Sequence, residues 1–236
     1  MHTLRSYAAE FLGTFILVFV GTGAVIIDSI TEGTSGLAGI ALAWGLVVAA
    51  MIYAFGDVSG AHINPAVTIA LCLAKRFPFS SVVPYVIVQC LGAITASSLL
   101  RILYPDQLDL GMTLPAGVWW QSFVLEVVLT GILMLVILNV TASGKDNGIT
   151  PAIAIGGVIS FEVLCGGPIS GASMNPARSL APALISGDMS SLWIYLTAPV
   201  LGSVLAVPIT VFLGGDTLVA SESEADPDPN QDSEQI

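Results

Sequence analysis

Ser59-Gly60-Ala61-His62-Ile63-Asn64-Pro65-Ala66-Val67 returns later in the chain as Ser170-Gly171-Ala172-Ser173-Met174-Asn175-Pro176-Ala177-Arg178. Each copy sets an Asn-Pro pair at the head of a short apolar run. Asn is a strong helix N-cap, because its side-chain oxygen accepts an orphan backbone N–H. Pro suits the first helical position, where its missing N–H costs nothing. The pattern predicts that each copy opens a helix of about ten residues, roughly 15 Å long, or half of a bilayer core of roughly 30 Å. Two such half-helices entering from opposite sides would cross one membrane between them.

The surrounding chain supplies that membrane context. Of its 236 residues, 55% are hydrophobic and 10% charged, with a mean hydropathy of +0.89. Full spans are predicted at about Tyr7–Ile27, Leu37–Phe55, Val82–Leu103, Val118–Val140, Ile149–Cys165 and Leu192–Leu213. The half-helices run to Lys75-Arg76 and to about Ile185, and Lys145-Asp146-Asn147-Gly148 reads as a turn. The fold class is therefore an all-α membrane protein, with six transmembrane helices and two half-helices. The net charge of -11 is mostly a property of the tail, where Asp216, Glu222, Glu224, Asp226, Asp228, Asp232 and Glu234 stand without a Lys or Arg. No basic patch suggests nucleic acid. Cys72, Cys90 and Cys165 lack metal-ligand spacing; Cys72 and Cys90 read as small buried apolar residues, and Cys165, closer to the second motif, as a candidate to approach the pore. The first apolar run is long, contains Glu10 and lacks a small-residue cleavage site, so it does not read as a cleavable signal.

The two halves repeat. Glu10 and Thr14 in the first span are echoed by Glu126 and Thr130 in the fourth. Three spans per half is an odd number, so the halves are inverted relative to each other, with broken helices meeting at the midplane. Repeat one covers about 5–103 and repeat two about 118–213, and residues 214–236 form an acidic tail predicted to be disordered. Arg5, Lys75, Arg76 and Lys145 share one side, which the positive-inside rule makes the cytoplasm, so both termini are expected there. Arg101 is the exception among the loop flanks.

Irregular backbone at membrane depth must line something wet. Two converging half-helix N-termini, each carrying roughly half a positive charge, would repel protons and other cations but not neutral solutes. Asn64 and Asn175 can cap with their oxygens and offer NH2 donors to a passing molecule. Arg178, on the first turn of the second half-helix, is an intramembrane charge and a functional candidate, either donating to a solute or bridging loop carbonyls. Glu10 and Glu126 read as acceptors for the N–H groups of the two loops, with a proton relay as the alternative. His62 either lines a vestibule or holds its loop.

At these residues the chain resembles the aquaporin (major intrinsic protein) family over about Tyr7–Leu213. The resemblance rests on two Asn-Pro-Ala boxes (Asn64, Pro65, Ala66 and Asn175, Pro176, Ala177), the second followed by Arg178, together with the paired Glu-x-x-x-Thr. Ser59–Ile69 and Gly167–Ala183 are similar to the nodulin-like branch of plants and its bacterial relatives, associated with glycerol, water and neutral metalloid acids such as arsenite and boric acid. The resemblance implies a selectivity filter of Trp44, Val163, Ala172 and Arg178. Water-only members usually carry Phe at the position of Trp44 and His at that of Val163; small apolar residues imply a wider filter. Ser179 and Ala183 resemble water channels, whereas Tyr195 followed by Leu196 leans toward the nodulin-like and glycerol-conducting members. The resemblance also implies a homotetramer with one pore per subunit.

The expected function is a passive channel for water and small neutral solutes, glycerol-type polyols foremost, in the plasma membrane, with lipid as its only other partner and no cofactor. The alternative is a strictly water-selective pore. A coupled secondary transporter needs more titratable groups within the spans, and a structural membrane protein would need no pore. A membrane enzyme would need a nucleophile–base pair or metal cluster, and the pattern offers neither.

Overall fold

The computed structural model describes residues 4–142 and 149–214. The predicted turn at 145–148 and the acidic tail beyond Gly214 lie outside the described residues. The helices are α1 (Leu4–Ile30), α2 (Gly36–Ser59), α3 (Pro65–Leu73), α4 (Phe79–Leu103), α5 (Trp119–Val140), α6 (Ile149–Ser170), α7 (Pro176–Ser186) and α8 (Leu192–Phe212). Six of them are long and apolar enough to cross a membrane, and α3 and α7, with 9 and 11 residues, are the two half-helices.

The widest departure from the expected boundaries is in the fifth span, which does not stop near Cys165 but continues through Gly166, Gly167 and Pro168 to Ser170. Gly and Pro punctuate a soluble helix, but packing can hold them within a membrane helix. Here the final turn is fixed by Ser170, whose Oγ donates to Glu126 Oε1 at 2.8 Å.

The inverted repeat is visible in the packing. α1 lies along α4 and α2, while α5 lies along α8 and α6, and α2 meets α6 between the halves. The α1–α4 crossing depends on Gly92, where a Cβ would sit 2.3 Å from the Phe11 carbonyl oxygen; Gly202 serves α5–α8 in the same way, 2.2 Å from that of Val127. Any side chain at either position would part the helices. The main core, including Leu17, Val48, Leu133 and Met134, sits between the halves. Leu42, Leu46, Val83, Ile87, Val124 and Ile153 point outward and exposed, as residues facing lipid do.

At one end of the bundle Ser6 Oγ donates to the Val58 carbonyl (2.8 Å) and Arg76 Nη1 to the Leu138 carbonyl (2.8 Å). That end therefore gathers the start of α1 and the ends of α2 and α5. At the other end, residues 104–118 fold back over the bundle. Arg101 explains itself there, donating to the carbonyls of Gln107 (2.9 Å) and Leu108 (3.1 Å).

Candidate functional site

Both half-helices start as the capping argument predicts. Asn64 Oδ1 accepts from Ala66 N at 2.9 Å. Asn175 Oδ1 accepts from Ala177 N at 3.0 Å and Arg178 N at 3.4 Å. The NH2 groups are less free than the sequence suggested. Asn64 Nδ2 donates to the Met174 carbonyl (2.8 Å) and Asn175 Nδ2 to the Ile63 carbonyl (2.9 Å), a reciprocal exchange that binds the two loops together. One hydrogen of each amide is thereby used, because a buried donor must find an acceptor, and one remains for the pore.

The loops ahead of the helices hold unusual backbone. Ala61, Ile63, Ala172 and Met174 all have positive φ, between 42° and 54°. The support lies behind them. Glu10 accepts from Ser59 Oγ (2.7 Å), His62 N (2.9 Å), Ile63 N (2.7 Å) and Gln89 Nε2 (2.8 Å). Glu126 accepts from Ser170 Oγ, Ser173 N and Met174 N, each at 2.8 Å. Across a trans peptide the C=O points opposite to the N–H. Turning the N–H groups of His62 and Ile63 toward Glu10 therefore turns the carbonyls of Ala61 and His62 away from it, and Glu126 does the same for Ala172 and Ser173. Tyr85 Oη donates to the Ser59 carbonyl (2.9 Å) and Tyr195 Oη to that of Ser170 (2.7 Å), pinning each loop at its first residue.

The four loop residues whose carbonyls are so turned line a cavity of about 720 Å³ that runs from Tyr53, Asp57 and Arg76 to Trp44. Its other wall is apolar, with Val48, Val67, Ile155 and Ile159. The cavity gathers Trp44, Val163, Ala172, Arg178, both asparagines and His62. It does not include Glu10, Glu126, or the Pro and Ala residues of the two boxes. Ala66 and Ala177 are fully buried, and the Ala66 carbonyl accepts from Ser203 Oγ (3.1 Å). His62 lines the cavity, and its Nδ1 lies 3.2 Å from Thr68 Oγ1.

Around Arg178 the wall becomes polar. Its Nη1 donates to the Gly111 carbonyl (2.9 Å), and its guanidinium lies 4.9 Å from the centre of the Trp44 ring, within cation–π reach. Trp44 rests in turn on Gly21, where an added Cβ would meet three ring atoms at 2.4 Å. The stretch 104–117, in the sequence only what lies between the third and fourth spans, thus supplies a ligand to the buried guanidinium of the site.

Tyr85, Gln89, Thr113 and Gly111 escaped the sequence reading as contributors to the site. Comparing the halves would have exposed the paired tyrosines, 26 residues beyond Ser59 and 25 beyond Ser170; the others carry no local signal. Glu162 also went unnoticed. It stands beside Val163 and is 1% exposed, and neither carboxyl oxygen has a hydrogen-bond partner among the described residues. A buried carboxyl without donors is costly, and apolar replacement of such groups is often stabilising. Glu162→Leu is therefore expected to raise the thermal midpoint in detergent while leaving water flux unchanged; a lowered midpoint would show that the carboxyl is needed for folding.

The family described as Major intrinsic protein matches residues 1–209. Aquaporin NIP1-1 of Zea mays is 44% identical over 202 residues, spanning 85% of this chain and 72% of its own length. Nodulin-26 of Glycine max is 43% identical over 202 residues, spanning 85% and 74%. Among solved structures, the aquaglyceroporin from Plasmodium falciparum superposes with a TM-score of 0.81 at 31% identity, covering 88% of this chain and 95% of that one.

Proposed function

The chain belongs to the major intrinsic protein family and is a multi-pass membrane channel for water and small neutral solutes, and from that premise we propose that its pore is wide enough for glycerol-sized polyols and neutral metalloid acids such as arsenite and boric acid. The observation that carries this reading is the wall opposite the polar groups. Val163 and Ala172 present small apolar side chains to the cavity that Trp44 and Arg178 share. A polyol has a carbon face and a hydroxyl face. Trp44, Val163 and Ala172 suit the first, and Arg178 with the Ala172 and Ser173 carbonyls suits the second.

Exclusion of protons and ions follows from the centre. The two half-helix N-termini and the guanidinium all present positive potential. A water that accepts from both remaining asparagine hydrogens turns its own hydrogens outward, which interrupts a proton wire. Glu10 and Glu126 act as scaffold in this reading, because their oxygens are committed to the loops and neither lines the cavity. The working unit is a homotetramer in the plasma membrane with cytoplasmic termini, the channel domain occupying residues 1–213.

Stopped-flow light scattering on proteoliposomes tests the filter. Glycerol re-swelling well above that of empty liposomes, alongside fast water flux, is the expected result. Fast water flux with glycerol flux at the empty-liposome level would mean that the pore is strictly water-selective.

A further inference from the structure

The two boxes are built alike but anchored differently. In the first repeat, Thr68 Oγ1 donates to the Asn64 carbonyl (3.0 Å) and contacts His62 Nδ1 (3.2 Å). It also accepts from Gln89 Nε2 (3.0 Å) on α4, the same nitrogen that serves Glu10. Ser179 and Ser173 hold the corresponding places about Asn175, and their Oγ atoms are 2.5 Å apart. The partner helix α8, however, gives no hydrogen bond to Ser179 or Ser173 among the described residues. Tyr85 and Tyr195 correspond, since both donate to the first serine of their loops. Four residues beyond Tyr85 is Gln89, whereas four beyond Tyr195 is Pro199. Proline brings no donor, so Glu126 has three where Glu10 has four.

The missing anchor is replaced from residues 104–118. Thr113 Oγ1 lies 2.7 Å from Ser179 Oγ. Thr113 also packs on Gly171, where a Cβ would come within 2.9 Å of its methyl carbon. One order of donation satisfies all three hydroxyls: Ser173 Oγ to the Asn175 carbonyl (3.0 Å), Ser179 to Ser173 and Thr113 to Ser179. All three residues are buried. Two positions before Thr113, the Gly111 carbonyl takes the Arg178 guanidinium.

We propose that Thr113 and Ser179 are positioning residues of the filter: their hydrogen bond ties residues 104–118 to the second box and thereby holds the Gly111 carbonyl against Arg178. The inference rests on the filter reading above. It also gives Ser179 a role unrelated to solute class, since its hydroxyl is committed to Thr113 and Ser173 rather than to the pore. Glycerol needs a fixed donor at the filter to replace several hydration contacts, while water is less demanding. Loss of the bond therefore lowers glycerol flux more than water flux.

The test uses the full chain in proteoliposomes, with flux normalised to the amount of reconstituted protein. Thr113→Val keeps the shape and removes the hydroxyl; Thr113→Ser keeps the hydroxyl. A net neutral hydrogen bond weights an equilibrium by roughly three- to ten-fold. Thr113→Val is expected to lower the glycerol-to-water permeability ratio by about three-fold, Thr113→Ser to restore it, and Thr113→Val with Ser179→Ala to do no more than Thr113→Val alone. A ratio unchanged in Thr113→Val, or water and glycerol falling in proportion, would overturn the proposal. If Thr113→Val does not fold, Ser179→Ala reports on the same bond by the same ratio. Val163→His with Ala172→Cys serves as the control. If that pair leaves the ratio unchanged, the filter reading has failed; if it moves the ratio and the Thr113 and Ser179 variants do not, only this tether has.

Discussion

Val163→His together with Ala172→Cys is expected to lower glycerol permeability by about ten-fold or more while water permeability falls by less than about three-fold. Ten-fold corresponds to roughly 1.4 kcal/mol of added barrier. Both side chains belong to the cavity wall shared with Trp44 and Arg178. Trp44 has little room to retreat, because its ring already rests on Gly21. An imidazole and a thiol in place of a propyl-sized and a methyl group therefore narrow the passage. They also replace apolar wall with polar wall, which suits water better than a carbon backbone. Parallel water and glycerol measurements on the same liposomes check this, and equal losses of both would remove Val163 and Ala172 from the filter.

The second large effect concerns folding. Glu10→Ala is expected to abolish recoverable folded channel. The substitution leaves His62 N, Ile63 N and one hydrogen of Gln89 Nε2 without an acceptor in the protein interior, and leaves Ser59 Oγ only the Phe55 carbonyl at 3.5 Å. Each stranded donor costs on the order of 1–3 kcal/mol, so the sum rivals the typical 5–15 kcal/mol stability of a whole domain. Glu126→Ala strands Ser173 N and Met174 N and leaves Ser170 Oγ only the Gly166 carbonyl at 3.5 Å, and is expected to be less damaging. Size-exclusion profiles and thermal unfolding in detergent measure both variants. A monodisperse Glu10→Ala protein with a near-normal midpoint would show that the loop holds its shape without the carboxylate.

The parts of this architecture governed by local rules were legible in the sequence. Apolar length marks a span wherever it occurs, and Asn64-Pro65 and Asn175-Pro176 announce helix starts through chemistry confined to a few residues. The partnership of Glu10 with its loop was also readable, because a carboxyl within a span demands donors and the repeat pointed to where they were. What escaped was decided at a distance. Gln89 is an ordinary polar residue in a helix until α4 lays it between Glu10 and Thr68. Gly111 and Thr113 sit in a stretch whose Pro, Asp and Gly content says only that it is not a helix. Their work depends on residues 104–118 folding back onto α7, which no periodicity encodes. The end of α6 was misjudged because Gly166, Gly167 and Pro168 are breakers in water, whereas packing sustains the helix here to Ser170.

Ala61, Ile63, Ala172 and Met174 hold left-handed backbone that costs an L-residue roughly 1–2 kcal/mol. That cost falls once, when the chain folds, and not with each molecule that crosses. A solute reaching the pore meets carbonyls already turned inward, so their orientation need not be made anew for each crossing. What remains is the exchange of a hydration shell for fixed oxygens and back again. Flux through such a conduit rises with temperature about as gently as water itself loses viscosity, without the steep activation of a carrier that must change shape on every cycle.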